Sequence, residues 1–168
     1  MIYAFDTYYY DNFAKTVYIA FENWNSEKET AVYSENISIT ADYESGAFYK
    51  RELPCILHLL KKINLNEGDV IIVDGYVSLN SEGKLGLGGY LFKELDESYP
   101  VVGVAKNKFS EENINRAEVL RGGSKTPLYV TVAGADISEI QIKIQEMHGE
   151  FRIPSLLKKL DQLTRVSQ

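Results

Sequence analysis

The sequence predicts an α/β fold in one domain spanning residues 1–168: a mixed sheet in which a three-stranded antiparallel meander is followed by parallel strands, with helices on both faces. Three observations predict it. From Ile2 to Ile39 the chain holds three runs rich in Tyr, Val and Ile, separated by turn-forming residues. The stretch Asp69-Val70-Ile71-Ile72-Val73-Asp74-Gly75 sets apolar β-branched residues directly before an acid and a glycine, as a buried strand does at its end. Thereafter, segments of helical periodicity alternate with short buried runs, the pattern that joins parallel strands by crossovers.

The meander strands are Ile2–Tyr10, Thr16–Trp24 and Thr30–Ile39, parted by Asp11-Asn12 and by Asn25-Ser26-Glu27-Lys28. Tyr8, Tyr9 and Tyr10 allow two readings, a base-stacking platform or the outward face of an ordinary meander. Asp6 breaks the first strand's apolar alternation, and a charge there costs several kcal/mol unless it is paired or binds a metal. A loop with a glycine hinge follows, from Ala41 to Gly46. The spacing of Leu53, Ile56, Leu57, Leu60 and Ile63 then predicts a helix over Arg51–Ile63. Glu52 stands in its first turn beside Pro54, where the helix dipole alone would favour an acid.

Asp74 ends the central strand, either capping the next loop or seeking a cation. Tyr76 to Gly89 reads as a polar, glycine-rich loop, with Gly86-Leu87-Gly88-Gly89 a loop and helix start, since no strand precedes it at dinucleotide-binding spacing. A helix covers Tyr90–Leu95, with a beginning as early as Lys84 left open. Pro100–Ala105 is another buried strand, and Lys106 at its tip is either a phosphate-facing cation or an exposed lysine opening a loop. Two further strands, Arg116–Leu120 and Leu128–Val132, flank the hairpin signal Gly122-Gly123-Ser124-Lys125. Ile137, Ile140 and Ile144 mark an amphipathic helix over Ile137–His148. A last helix from Pro154 turns Leu156, Leu157, Leu160 and Leu163 inward and leaves Asp161 at the edge of that face.

Composition bounds the function. With 45% hydrophobic and 25% charged residues the chain is globular, neither disordered nor fibrous. The lone Cys55 provides no disulfide framework, which predicts a reducing, cytoplasmic home. Met1 leads directly into strand residues, so neither a signal peptide nor a membrane span is expected. A net charge of -6 argues against a protein that holds nucleic acid by bulk charge, but not against a nuclease with an acidic site. His58 and His148 stand alone, away from metal-ligand spacing, and nothing written here fixes an oligomeric state; a monomer is compatible.

Meander, helix, strand, helix, strand is the order of a ribonuclease H-like sheet, in which the first strand is central and its acid faces the tip of the fourth. That topology brings Asp6 beside Asp74, with Glu52 and Asp161 arriving from helices. Like charges ~4 Å apart repel by about 4 kcal/mol per pair at an effective dielectric of about 20, so such a cluster calls for cations. Oxygen donors select magnesium, with manganese as a substitute.

At these residues the sequence resembles the endonuclease V family, metal-dependent nucleases that nick nucleic acid next to inosine or deoxyinosine. The similarity runs from Ile2 almost to Arg165. It is carried by Ala4-Phe5-Asp6, by Tyr43-Glu44-Ser45-Gly46 leading to Glu52-Leu53-Pro54, by Val70 to Gly75, by Gly86-Leu87-Gly88, by Pro100 to Lys106, and by Arg152-Ile153-Pro154 with Asp161. The resemblance implies that Asp6, Glu52, Asp74 and Asp161 are the metal-binding acids and that Lys106 stands beside the scissile phosphate. It further implies a DNA or RNA partner met by Tyr43, Gly46, Gly75 and Lys106, with Tyr43 on the loop that wedges the strands apart. The chain departs from the family where substrate would be gripped. The wedge loop Pro-Tyr-Ile-Pro-Gly stands as Asp42-Tyr43-Glu44-Ser45-Gly46, losing rigidity and gaining acids. The Asp-Gly-His-Gly run reads Asp74-Gly75-Tyr76-Val77, and a later family histidine is Tyr90. Three functions follow as expectations: an endonuclease at inosine or other damaged bases, as in DNA repair; a divergent nuclease of RNA or of branched and flapped DNA; or a non-catalytic descendant that only binds.

Overall fold

A computed structural model describes residues 1–39 and 49–166. The elements run in the order β1 (Ile2–Tyr9), β2 (Phe13–Phe21), β3 (Ala31–Ser38), α1 (Tyr49–Leu60), β4 (Val70–Asp74), α2 (Leu87–Glu94), β5 (Val101–Ala105), β6 (Ala117–Val119), β7 (Leu128–Ala133), α3 (Ile137–Gln145) and α4 (Ser155–Thr164). One seven-stranded sheet joins them in the order β3-β2-β1-β4-β5-β7-β6. The meander β3-β2-β1 is antiparallel, β1 pairs with β4 and β4 with β5 in parallel, and β7 returns antiparallel to β5. This is the ribonuclease H-like mixed sheet that the element order predicts, with the first strand in its interior beside the central β4.

Side-chain alternation sorts the strands into two cores, one on each face of the sheet. Ile2, Ala4, Ile72, Val102 and Val104 pack with Ile140, Ile144, Leu156 and Leu160 of α3 and α4. Phe5, Ile71, Val73 and Val101 pack with Ile56 and Leu59 of α1 and Leu91 of α2. Each of these strands is thus buried on both sides, which is why their sequences read as near-continuous apolar runs. The same parity decides where charges go. Asp6 follows Ala4 by two residues, Asp74 follows Ile72 and Lys106 follows Val104, so all three fall on the α4 side.

Several boundaries differ from the sequence expectation. β2 begins at Phe13 and ends at Phe21, three residues early at each end, because the amide of Tyr10 donates to the Phe13 carbonyl and closes the hairpin tightly. α1 begins at Tyr49, two residues before the expected start, and ends at Leu60, three before the expected end, with Pro54 inside it. Tyr49 stacks on Tyr90 of α2 with ring centroids 3.9 Å apart, a tertiary contact that propensity cannot report. α2 begins at Leu87, within the range left open, capped by Gly86. A Cβ on Gly89 would stand 2.4 Å from the Val77 carbonyl oxygen, so the glycines there serve close helix packing. Among the described residues no helix is long and apolar enough to cross a membrane.

Candidate active site

The register fixes the site. Phe5 pairs with Val73, so the next residues, Asp6 within β1 and Asp74 at the end of β4, stand side by side on two adjoining parallel strands. Asp74 is in register with Val104, two residues before Lys106. Gly75, at φ 139°, then turns the chain away with a backbone that other residues rarely adopt.

Asp6 is 8% exposed and accepts a 2.8 Å bond from the Thr7 amide at Oδ1. Burial, and after it the charge of Asp74, push its carboxyl up to about 7. Each carboxyl lies within the electrostatic reach of the other, so that ionising both is unfavourable. Asp74 keeps 41% of its side-chain surface open at the mouth of the cleft. The protein packed around it raises its carboxyl, Lys106 opposes that, and Asp161 adds to it. Half-buried Glu52 approaches from α1, on the opposite face of the sheet, and burial, then Asp6 and Asp74, hold it well above the usual carboxylate range.

Lys106 Nζ lies 4.0 Å from Asp74 Oδ2 and 3.8 Å from Asp161 Oδ1, an ammonium set between two acids. The structure therefore brings Asp6, Asp74 and Glu52 into one electrostatic neighbourhood and sets Asp161 across from them behind the lysine. Among the described residues no group of three or more His, Cys, Asp or Glu side chains is arranged to hold an ion together. Tyr43 and Gly46 lie outside the described residues. His58 pairs with Glu35 and His148 lies 3.0 Å from Ser155 Oγ, both away from the acids.

Two cavities meet at Asp74. One, of about 30 Å³, lies behind the acids among Phe5, Ile72, Val104, Leu128 and Pro154. The other, of about 420 Å³, opens in front, where Tyr9, Tyr49, Tyr76 and Phe109 stand around Glu52 and Asp74. The Tyr76 hydroxyl donates to the Asn107 carbonyl at 2.6 Å and accepts from the Phe109 amide at 3.0 Å, fixing that wall.

Sequence reasoning missed Arg165, whose Nε donates to Asp161 Oδ1 at 3.2 Å from one helical turn away. The signal was the i,i+4 spacing from Asp161. It also passed over Arg152, quoted only as part of a motif. The Arg152 guanidinium donates to the carbonyls of Lys106, Thr126 and Pro127, fixing the backbone of the site lysine.

The family model for endonuclease V matches residues 1–140, a stretch that holds Asp6, Glu52, Asp74 and Lys106 but not Asp161. No curated protein matches the chain. Among solved structures, human endonuclease V superposes with a TM-score of 0.77 at 21% identity, over 98% of this chain and 82% of that one. Endonuclease V of Ciona intestinalis, solved with a 23mer DNA containing an inosine followed by a ribo-adenosine, gives 0.75 at 15% identity, over 98% and 83%. That of Bacillus subtilis gives 0.72 at 18% identity, over 97% and 77%.

Proposed function

Because the chain belongs to the endonuclease V family, we propose that it is a magnesium-dependent phosphodiesterase, an endonuclease that hydrolyses DNA or RNA next to inosine, deoxyinosine or another damaged base. The observation that carries this reading is the register that sets Asp6, within β1, beside Asp74 at the end of β4, with Lys106 4.0 Å from the second acid. Two carboxyls forced together at the edge of a core are costly to keep, and a cation relieves the repulsion.

The donor set fits magnesium in kind, being all hard oxygen with two members side by side. Asp6 and Asp74 would hold the ion, with Glu52 and Asp161 in support; magnesium keeps several waters, so two converging protein ligands suffice to begin. When bound, it would supply a nucleophilic water at neutral pH and neutralise charge at the leaving oxygen.

The chain's own residues do the rest. Lys106 offers an ammonium to the phosphate and steadies its growing charge. Glu52 lines the front cavity beside Asp74, where a carboxyl or a water would serve the proton exchange that the departing oxygen requires. The Tyr9, Tyr49, Tyr76 and Phe109 faces form a recess wide enough for a base turned out of its stack.

That recess also supports a broader substrate range. Four aromatic rings line it among aliphatic and acidic neighbours, and aromatic faces stack every base alike. The Tyr76 hydroxyl, where the family has a histidine, is spent on Asn107 and Phe109. RNA and flapped DNA are therefore substrates to include. Wild type in magnesium should nick at least one of inosine-containing DNA, inosine-containing RNA, mismatched duplexes and flaps, and Asp74→Asn should nick none. Uncut substrates in both magnesium and manganese, with binding retained, would refute hydrolysis and leave a binding descendant.

A further inference from the structure

A second aromatic feature lies on the other flank of the acids. Tyr8 shares the face of Asp6, two residues and roughly 7 Å further along the strand. It is 36% exposed and meets the Tyr10 ring edge-on at 5.0 Å. Tyr10 in turn stacks on Phe13 at 4.8 Å with 15° between the planes. The row is held in place from the end of α4 and the residues after it: the Tyr10 hydroxyl donates to the Thr164 carbonyl at 3.1 Å, and buried Lys15 donates to the Val166 carbonyl at 2.8 Å. Over Tyr8 lies the Arg165 guanidinium, 4.8 Å from the ring centroid. Its side chain is 57% exposed, and the Nε that bonds Asp161 is one of its five N–H donors.

We propose that Tyr8, Tyr10 and Phe13, crossed by Arg165, form a stacking track for a single-stranded stretch of nucleic acid adjoining the hydrolysed phosphodiester. The track presupposes the nuclease reading of the acids. Its occupant follows from three features: an exposed Tyr8 ring beside half-buried Tyr10 and Phe13, a cation over Tyr8 suited to a phosphate, and continuity through Asp161 and Lys106 with the site. The chain's net charge of -6 adds a fourth, because a protein unable to hold phosphates by bulk charge must draw affinity from its bases. Stacking supplies that without regard to sequence.

The test is fluorescence anisotropy of a labelled short single-stranded oligonucleotide with full-length protein, calcium replacing magnesium, alongside cleavage of the best substrate from the panel. Tyr8→Ala should weaken binding by roughly fivefold to a hundredfold, the range that the loss of one stacked base gives. Tyr8→Phe, which keeps the ring, should bind near wild type, and the cleavage defect of Tyr8→Ala should appear in KM. Binding should also fall only weakly with added salt, since few phosphates are neutralised. Tyr8→Trp should show indole quenching as the oligonucleotide is added, reporting the contact in a protein that keeps its ring. If Tyr8→Ala binds as wild type does and Tyr8→Trp is not quenched, the track is overturned while cleavage by wild type leaves the nuclease reading intact. If wild type neither binds nor cleaves any substrate, both fall.

Discussion

Lys106 Nζ lies 3.8 Å from Asp161 Oδ1, so an ammonium at the end of β5 answers a carboxylate from α4. Arg165 Nε bonds the same oxygen at 3.2 Å. Asp161 is thus neutralised by two cations, whereas Asp6 and Asp74 press on each other. Asp161→Asn should therefore lose less activity than Asp74→Asn, on the order of tenfold against a thousandfold. Single-turnover cleavage rates in magnesium decide this. Equal losses would mean that Asp161 leaves its lysine and joins the ion as a full ligand.

The metal-free protein should become less stable as pH rises through the neutral range. Asp6, ordinarily at 3.8, titrates at about 7 in the folded chain. Between those values the folded state holds a proton that the unfolded state has released, so stability falls with rising pH. Glu52, also raised, acts with the same sign. Glu29 and Glu35 are lowered, and their contribution is lost only as pH falls below the usual 4.5, outside this window. Thermal unfolding in EDTA should show a drop on the order of a few kcal/mol between about pH 5 and pH 7.5. Magnesium added at the upper end should recover it. A flat profile would mean that the acids repel less than their geometry implies.

Gly103→Ala should destabilise the fold and impair the site together. A Cβ there would stand 2.5 Å from the Gly75 carbonyl oxygen and 2.9 Å from Thr131 Oγ1. Overpacking of this kind costs about 1–3 kcal/mol, and a chain of this size loses roughly 2–4 °C of midpoint per kcal/mol. Because Gly75 follows Asp74, activity should fall beyond the thermal loss. Gly123→Ala is the control: it meets nothing within 4 Å and bears only the strain of φ 70°.

Arg121→Met should be among the most damaging changes outside the acids. This buried guanidinium donates to the carbonyls of Met147, Gly149, Phe151 and Arg152, organising the loop between α3 and α4. Leaving those carbonyls unpaired should cost about 3 kcal/mol or more, read by chemical denaturation. Arg121→Lys should not rescue it, since an ammonium lacks the planar fork.

The sheet is legible in the sequence because strands buried on both faces are written as unbroken β-branched runs. Asp6 and Asp74 stand out for the same reason, as acids where only apolar residues belong. Glu52 is harder to read, since a first-turn acid has a local justification and its approach to the other two crosses from α1 to the far face. Arg121 is illegible at a distance, because its partners are carbonyls whose positions only the folded chain defines, whereas the i,i+4 spacing of Arg165 from Asp161 could have been read. The early starts of β2 and α1 have a similar origin, in the hairpin bond from Tyr10 to Phe13 and the stacking of Tyr49 on Tyr90.

The pairing of Phe5 with Val73 has a bearing on folding as well as on chemistry. A slip of one residue between β1 and β4 would turn Asp6 toward the core formed with α1 and α2 and leave Asp74 alone. The alignment of the two middle strands therefore decides both which core each strand fills and whether the two acids come together.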